Sequence, residues 1–281
     1  MKTLMVSSAT ASYFPYIKGL IANVVRRGLH RNMAMGVLDI DFDAEQRAWL
    51  LAQSVRIEPA AWDFESSVPS EGLPLHYRAL TVRPHLRRYF PGYDVYLWVD
   101  PDVLIQNGNA LNWYLGGARA QGLAIASESD GAYRLDSSIA GWRLNRLAAC
   151  FGKHAAVRLF LESHYYNAGI WALRADAPHW DAWAHHLGAG LAATQGAVIC
   201  DQSALNYALF HEQLPVCSLP ATANWLCHLC PPKFDQKSQT WFERNSPHRS
   251  LPLLHFSGDT KSALLQFLAE QDAPSPPVTS P

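Results

Sequence analysis

Apolar runs of strand length alternate with helix-period stretches along residues 1–100, the pattern of an α/β protein. Residues 3–8 predict a strand, 16–27 a helix, 33–38 a strand, 44–53 a helix and 54–58 a short strand. The helical stretch from His76 to Tyr89 contains Pro84, which has no amide hydrogen and should kink or split it. Strands follow at Val95 to Val99 and at Leu123 to Ser127. Gly131 to Gly141 has no period and reads as a loop that orders on ligand binding. Residues 154–162 predict a helix, His164 to Leu173 a strand, Ala177 to Thr194 a Trp- and Ala-rich helix, and Asp201 to Phe210 a short amphipathic helix. Residues 1–270 are expected to form one domain, and the Pro- and Ser-rich stretch 271–281 a disordered tail.

One position breaks the apolar pattern. Asp100-Pro101-Asp102 sets two acids between Val95-Tyr96-Leu97-Trp98-Val99 and Val103-Leu104-Ile105. Two unpaired charges buried there would cost several kcal/mol or more, on the order of the penalties known for buried ions, whereas a divalent cation neutralises both. A buried turn is the bland alternative. Asp39-Ile40-Asp41-Phe42-Asp43 contains the same D-x-D spacing but follows the apolar strand Met35 to Leu38, and Asp43 precedes Gln46 as a capping box does. A solvated turn and a helix cap account for those acids.

Composition narrows the classes. The chain has 281 residues, 49% hydrophobic and 17% charged, enough for a full core. A net charge of -1 argues against nucleic acid as the main partner. Met1 to Val6 enters the first apolar strand at once with no signal-peptide pattern, and no run of 18 apolar residues predicts a membrane span, so a cytoplasmic location is expected, with peripheral contact at a membrane face still open. Five irregularly spaced cysteines agree with a reducing compartment. Cys227 and Cys230, with Cys217 upstream, offer one C-x-x-C, for which buried free thiols are a better reading than zinc.

Four separated segments point one way: Asp100-Pro101-Asp102, Tyr166-Asn167-Ala168-Gly169, Asp201-Gln202-Ser203-Ala204-Leu205-Asn206, and His255-Phe256-Ser257-Gly258-Asp259-Thr260-Lys261. In order and spacing the chain resembles, over residues 3–261, the retaining family 8 glycosyltransferases, the group that includes bacterial lipopolysaccharide galactosyl- and glucosyltransferases and glycogenin. The resemblance implies a GT-A fold, a Rossmann-like mixed sheet flanked by helices. It also implies transfer of a hexose from a nucleotide-diphosphate sugar, expected to be a UDP-sugar, to a hydroxyl of a carbohydrate or glycolipid acceptor, with the donor's configuration retained.

By that resemblance Asp100, Asp102 and His255 bind Mn²⁺, with Mg²⁺ as the alternative. Lys261 charges the leaving phosphate, Gly258 lets the backbone approach it, and Arg83 faces the diphosphate. Asp201 and Gln202 sit by the donor sugar as the catalytic pair. Asn167, Ala168 and Gly169 line that sugar, while Ala9, Thr10 and Tyr13 meet the base, Tyr13 by stacking. Each has a bland counterpart: a strand-end histidine, a surface arginine, a helix N-cap at Asp201, a strand glycine. Glu128 and Asp130, just after a strand, are further candidates for sugar hydroxyls. Of ten tryptophans most read as core, including Trp171, Trp180 and Trp183, and Trp142 and Trp225 read as exposed platforms.

The departures are specific. The family pattern Ala-Asp-x-x-Tyr is here Ala9-Thr10-Ala11-Ser12-Tyr13, so the acid that reads uracil is replaced by a hydroxyl and looser base selection is expected. Lys261 is followed by Ser262-Ala263 where the family has Pro-Trp, which leaves closure of the C-terminal segment open. Two other classes share parts of the pattern. A phosphohydrolase of the HAD type also has a strand ending in D-x-D, but at the start of its fold. A sugar-nucleotide-binding protein without catalysis fits the altered positions.

Overall fold

The computed structural model describes residues 1–64, 71–134, 136–198 and 200–272. In chain order the elements are β1 (Thr3–Ala9), α1 (Phe14–Arg26), β2 (Ala34–Asp39), α2 (Ala44–Ala52), β3 (Arg56–Pro59), α3 (Tyr77–Thr81), α4 (Leu86–Tyr89), β4 (Val95–Val99), β5 (Val103–Ile105), α5 (Leu111–Gln121), β6 (Leu123–Ser127), α6 (Ser137–Phe151), α7 (Lys153–Glu162), β7 (Tyr166–Arg174), α8 (His179–Thr194), α9 (Asp201–His211), β8 (Val216–Leu219), β9 (Trp225–Leu226), β10 (Lys233–Asp235), β11 (Thr240–Glu243), β12 (Ser246–Ser250), β13 (Leu253–His255) and α10 (Lys261–Asp272).

Seven strands form the central sheet in the order β3-β2-β1-β4-β7-β6-β8. It is parallel from β3 to β4, while β7 runs antiparallel to both β4 and β6. Strands β1 and β4 are buried throughout, as inner strands covered on both faces must be. One face packs around Trp98, Trp171, Trp180 and Trp183. The facing pair Trp98 and Trp171 stack at 6.1 Å, and Trp180 and Trp183 meet Trp171 edge-on. The other face packs α1 and α5 against Met5, Val37, Leu97 and Ile170.

Local chemistry sets the ends of these elements. Asp43 accepts from the Gln46 amide and Gln46 reaches back, the expected capping box. Gly28, at φ 67°, takes the left-handed conformation that stops α1. Pro84 divides the predicted long helix into α3, a 3-10 turn at Arg83–His85 and α4. Two segments differ from expectation. Half of the supposed loop Gly131 to Gly141 is the start of α6, nucleated by Asp136, whose carboxylate accepts from the Ser138 and Ile139 amides. Helix α10 reaches Asp272, two residues into the expected tail, and 273–281 lie outside the described residues.

Strand β5 leaves the central sheet at the Asp100-Pro101-Asp102 turn and joins β13 and β9 in a small sheet. Its register sets Val103 opposite His255. That pairing brings the D-x-D and the distant histidine together. Among the described residues no helix is long and apolar enough to cross a membrane.

Candidate functional site

Asp100 caps the C-terminal end of β4, and Pro101 follows at the second position of a turn closed by the Val103 amide on the Asp100 carbonyl, 3.2 Å. The turn throws both carboxylates to one side. His255 Nε2 lies 3.2 Å from Asp102 Oδ1 and 3.7 Å from Asp100 Oδ2. The imidazole fits only because residue 169 has no side chain: a Cβ on Gly169 would stand 2.3 Å from His255 Cε1. Ligand atoms of Asp100, Asp102 and His255 fall within 4.8 Å of one another, the one such cluster among the described residues.

The electrostatics suit a cation. Burial raises the Asp100 carboxyl above its usual range despite Arg83 nearby. For Asp102 burial acts in the same direction but is outweighed by His255 and Lys261, so the group is held low. Burial opposes the imidazolium of His255, yet Asp102 and Asp100 prevail and raise its pKa. Two carboxylates and one imidazole leave coordination positions for oxygen ligands, a donor set that fits Mn²⁺.

Arg83 lines both of the cavities that meet at Asp100 and Asp102, with its guanidinium already paired. Its guanidinium is buried over Trp98, with Nη2 2.6 Å from Asp100 and Nη1 2.5 Å from Asp201. It orients two acids. Asp201 is the first residue of α9 and not its N-cap, which is Cys200. Gln202 accepts from the Ala168 amide at 3.0 Å and donates to Glu128 at 3.0 Å. Asn167 Nδ2 donates to the same Glu128 oxygen, and its Oδ1 accepts from Asn224 and from the Gly169 amide. Asn206, one turn along α9, clamps Tyr166 with two hydrogen bonds, which fixes β7 against α9.

At the other side Lys261 begins α10 and reaches Tyr13 Oη at 2.5 Å and Asp102 at 3.6 Å. Leu264 of α10 is buried and Leu268 packs against Gly19 of α1, which anchors the helix that Lys261 begins. Gly258 turns at φ 67°, a conformation that favours glycine. Ala168 is wholly buried in the core and contributes its amide, not its side chain.

Three cavities join into one cleft. The first, about 560 Å³, is lined by Ala9, Thr10, Tyr13 and Asp41 and ends at Arg83, Asp100, Asp102 and Lys261. Those four also line the second, about 400 Å³, with His255, Asn167, Gly169, Asp201 and Gln202. The third, about 510 Å³, continues past Asn167 and Gln202 to Glu128, Trp142 and His228.

Several expectations need correction. Trp225 is no platform: it is 0% exposed and its Nε1 donates to the Cys230 carbonyl. Trp142, 54% exposed, does line the cleft. Asp130 is held by Arg249 at 2.6 and 3.0 Å and is absent from the cleft wall, whereas Glu128 is buried, paired with Arg143 and central to the network. Cys217 lies on β8 of the central sheet, while Cys227 and Cys230 sit in the cluster around the small sheet. Arg143 and Asn224 had no place in the sequence reading. The Asp136-Ser137-Ser138 cap signal would have revealed α6 and hence Arg143; Asn224 has no local signal.

No family model matches the chain, and no curated protein matches it in sequence. Solved structures do match in fold. The galactosyltransferase LgtC, in complex with donor and acceptor sugar analogues, aligns over 97% of this chain and 98% of its own at TM-score 0.58 and 15% identity. The bifunctional glycosyltransferase WbbM, apo, aligns over 96% of this chain and 51% of its own at 0.60 and 14%. Core-mannan synthase A from Aspergillus fumigatus, in its Mn/GDP form, aligns over 78% and 73% at 0.50 and 10%. The chain has the GT-A fold.

Proposed function

We propose that the protein is a metal-dependent retaining hexosyltransferase that uses a nucleotide-diphosphate sugar, with UDP as the expected nucleotide and a sugar hydroxyl as acceptor. The observation that carries this reading is the order of groups along one cleft. A nucleoside-sized cavity leads to the Asp100, Asp102, His255 and Lys261 cluster and then to Asn167, Asp201 and Gln202, the order of base, diphosphate and hexose in such a donor.

Asp100, Asp102 and His255 would hold the cation, expected to be Mn²⁺. Such an ion, when bound, supplies Lewis-acid stabilisation of charge on the diphosphate. Lys261 sets a point charge beside the departing phosphate. Asp201, oriented by Arg83, accepts from sugar hydroxyls. Gln202, locked by the Ala168 amide and Glu128, holds its amide by the reacting carbon. Asn167 and Gly169 form the sugar's wall, while Ala9, Thr10 and Tyr13 border the nucleoside. Among the described residues lining the cleft beyond Asp100 and Asp102, no carboxylate stands free as a nucleophile, since Asp201 pairs with Arg83 and Glu128 with Arg143. A front-side substitution, in which the leaving phosphate takes the acceptor's proton, fits that arrangement. Trp142 and the third cavity lie on the acceptor side of Gln202, and a glycolipid there would bring the protein to a membrane face.

The test is Mn²⁺-dependent release of the nucleoside diphosphate from a panel of UDP-hexoses with saccharide acceptors, and the anomeric configuration of the product by NMR. An α-linked product from an α-linked donor is expected. A β-linked product removes the retaining assignment. Metal-dependent binding without turnover on any acceptor favours the catalytically silent reading.

A further inference from the structure

Asp41 belongs to the second D-x-D, which a solvated turn explains in sequence, yet the fold carries it to the nucleoside end of the cleft. It follows the C-terminal end of β2, beside the loop that follows β1, and lines the same cavity as Thr10 and Tyr13. The cavity has a direction. Arg83, Asp100, Asp102 and Lys261 are shared with the cavity around Gln202, whereas Ser8, Thr10, Ile40, Asp41 and His76 line only the first. With the diphosphate at the shared residues and the hexose toward Gln202, the base lies at the Asp41 end.

Thr10 can replace only part of a carboxylate's contact there. Its hydroxyl is engaged by the Ser12 hydroxyl at 2.9 Å. Asp41 differs in kind. Its Oδ1 accepts from the Ala11 amide at 2.6 Å, which fixes the carboxylate against the loop, and Gln46 anchors that loop again through the Ala11 carbonyl. Asp41 itself is exposed, and no described residue forms an ion pair or hydrogen bond with its Oδ2. Asp39 and Asp43 have local work, Asp39 with Arg47 and the Phe42 amide and Asp43 as the α2 cap, so only Asp41 of the three acids faces the cleft.

Resting on the donor reading above, we infer that Asp41 is the nucleobase-selecting residue, accepting a hydrogen bond from a ring N–H and thereby replacing in space the acid missing at position 10. A carboxylate has acceptors only. Uracil and guanine present a ring N–H on the pairing edge, whereas cytosine and adenine present a ring nitrogen lone pair that a carboxylate repels. The class selected is therefore a uracil or guanine nucleoside diphosphate, and the inference moves base selection from Thr10, where the sequence placed its loss, to the end of β2.

The experiment is calorimetric titration of the full chain with UDP, GDP, CDP and ADP in the presence of Mn²⁺, for the wild type and Asp41→Asn. Asparagine keeps an oxygen for the Ala11 amide and puts an amide donor in place of the free carboxylate oxygen. The wild type should favour the better of UDP and GDP over both CDP and ADP by about tenfold or more, as hydrogen bonds to charged groups do. Asp41→Asn should erase or reverse that ranking with an unchanged melting temperature. If Asp41 only braces the loop, the variant weakens all four nucleotides by one factor and keeps their order, which overturns the inference and leaves the donor reading standing. Should the wild type bind none of the four, the inference and the donor reading fall together. Thr10→Ala serves as the second variant: a changed ranking there with none in Asp41→Asn returns selection to position 10.

Discussion

Gly169 and His255 occupy one space: a Cβ built on Gly169 would stand 2.6 Å from His255 Nδ1 as well as 2.3 Å from Cε1. The glycine of the Tyr-Asn-Ala-Gly segment is thus required by the histidine that completes the acid cluster, two segments far apart in the chain. Gly169→Ala should displace the ring, lower Mn²⁺ affinity at least tenfold, and cost about 1–3 kcal/mol of stability, the usual range for overpacking. On a His255→Ala background the same substitution should cost far less, which urea denaturation of the four proteins would read as a coupling energy. Equal costs on both backgrounds would show that the clash is relieved elsewhere.

Arg83 joins Asp100 and Asp201 through one buried guanidinium. Arg83→Met should destabilise the fold by about 3–5 kcal/mol, because two buried carboxylates lose their partner. Arg83→Lys should recover part of that stability but little transfer, since a single ammonium cannot bridge both acids. Denaturant midpoints and steady-state rates on the same preparations would separate the two effects.

Asp130 is assigned to structure and not to substrate. Burial opposes its charge, but the hydrogen bonds from Arg249 and the Ala132 amide hold its carboxyl below the usual 3.8. A depressed folded pKa gives stability that is fully present above the unfolded value and is lost as pH falls through the folded one. Asp130→Asn should therefore lower stability at neutral pH, with the gap to wild type closing below about pH 4, and should leave transfer unchanged. A loss of kcat at undiminished stability would restore Asp130 to the site.

Gln202 is held on both sides of its amide, by the Ala168 N–H and by Glu128. Gln202→Ala should slow transfer by about 10²-fold or more while nucleotide-sugar affinity changes severalfold at most, the pattern of an interaction made mainly at the barrier. Equal losses in binding and rate would mean that Gln202 contributes only ground-state affinity.

What the sequence made legible follows a physical line. Asp100 and Asp102 stand out because they interrupt a continuous apolar run, whereas Asn167, Gln202 and Lys261 were legible only through the resemblance of their short motifs, in order, to a known family. Positions whose role depends on tertiary meeting were hidden. Glu128 looked equivalent to Asp130 until Arg143 and Arg249 separated them. Asp41 looked like a turn acid until β1 and β2 aligned it with Ala11. Trp225 seemed exposed because its neighbours lack a period, yet it fills the small sheet's core against Tyr133. The small strands β9 to β13 are too short, at two to five residues, to carry an alternation of their own.

The most direct test of the central claim, that Asp100, Asp102 and His255 hold a divalent metal which carries the donor's diphosphate, is the Mn²⁺ dependence of UDP affinity in the wild type and in Asp102→Asn, measured by calorimetry. The substitution removes the carboxylate's charge at nearly constant shape. The account predicts that saturating Mn²⁺ tightens UDP binding by about 100-fold or more in the wild type, roughly 2.7 kcal/mol, and leaves the variant unchanged. An equal metal effect in both proteins, or none in the wild type, would contradict it.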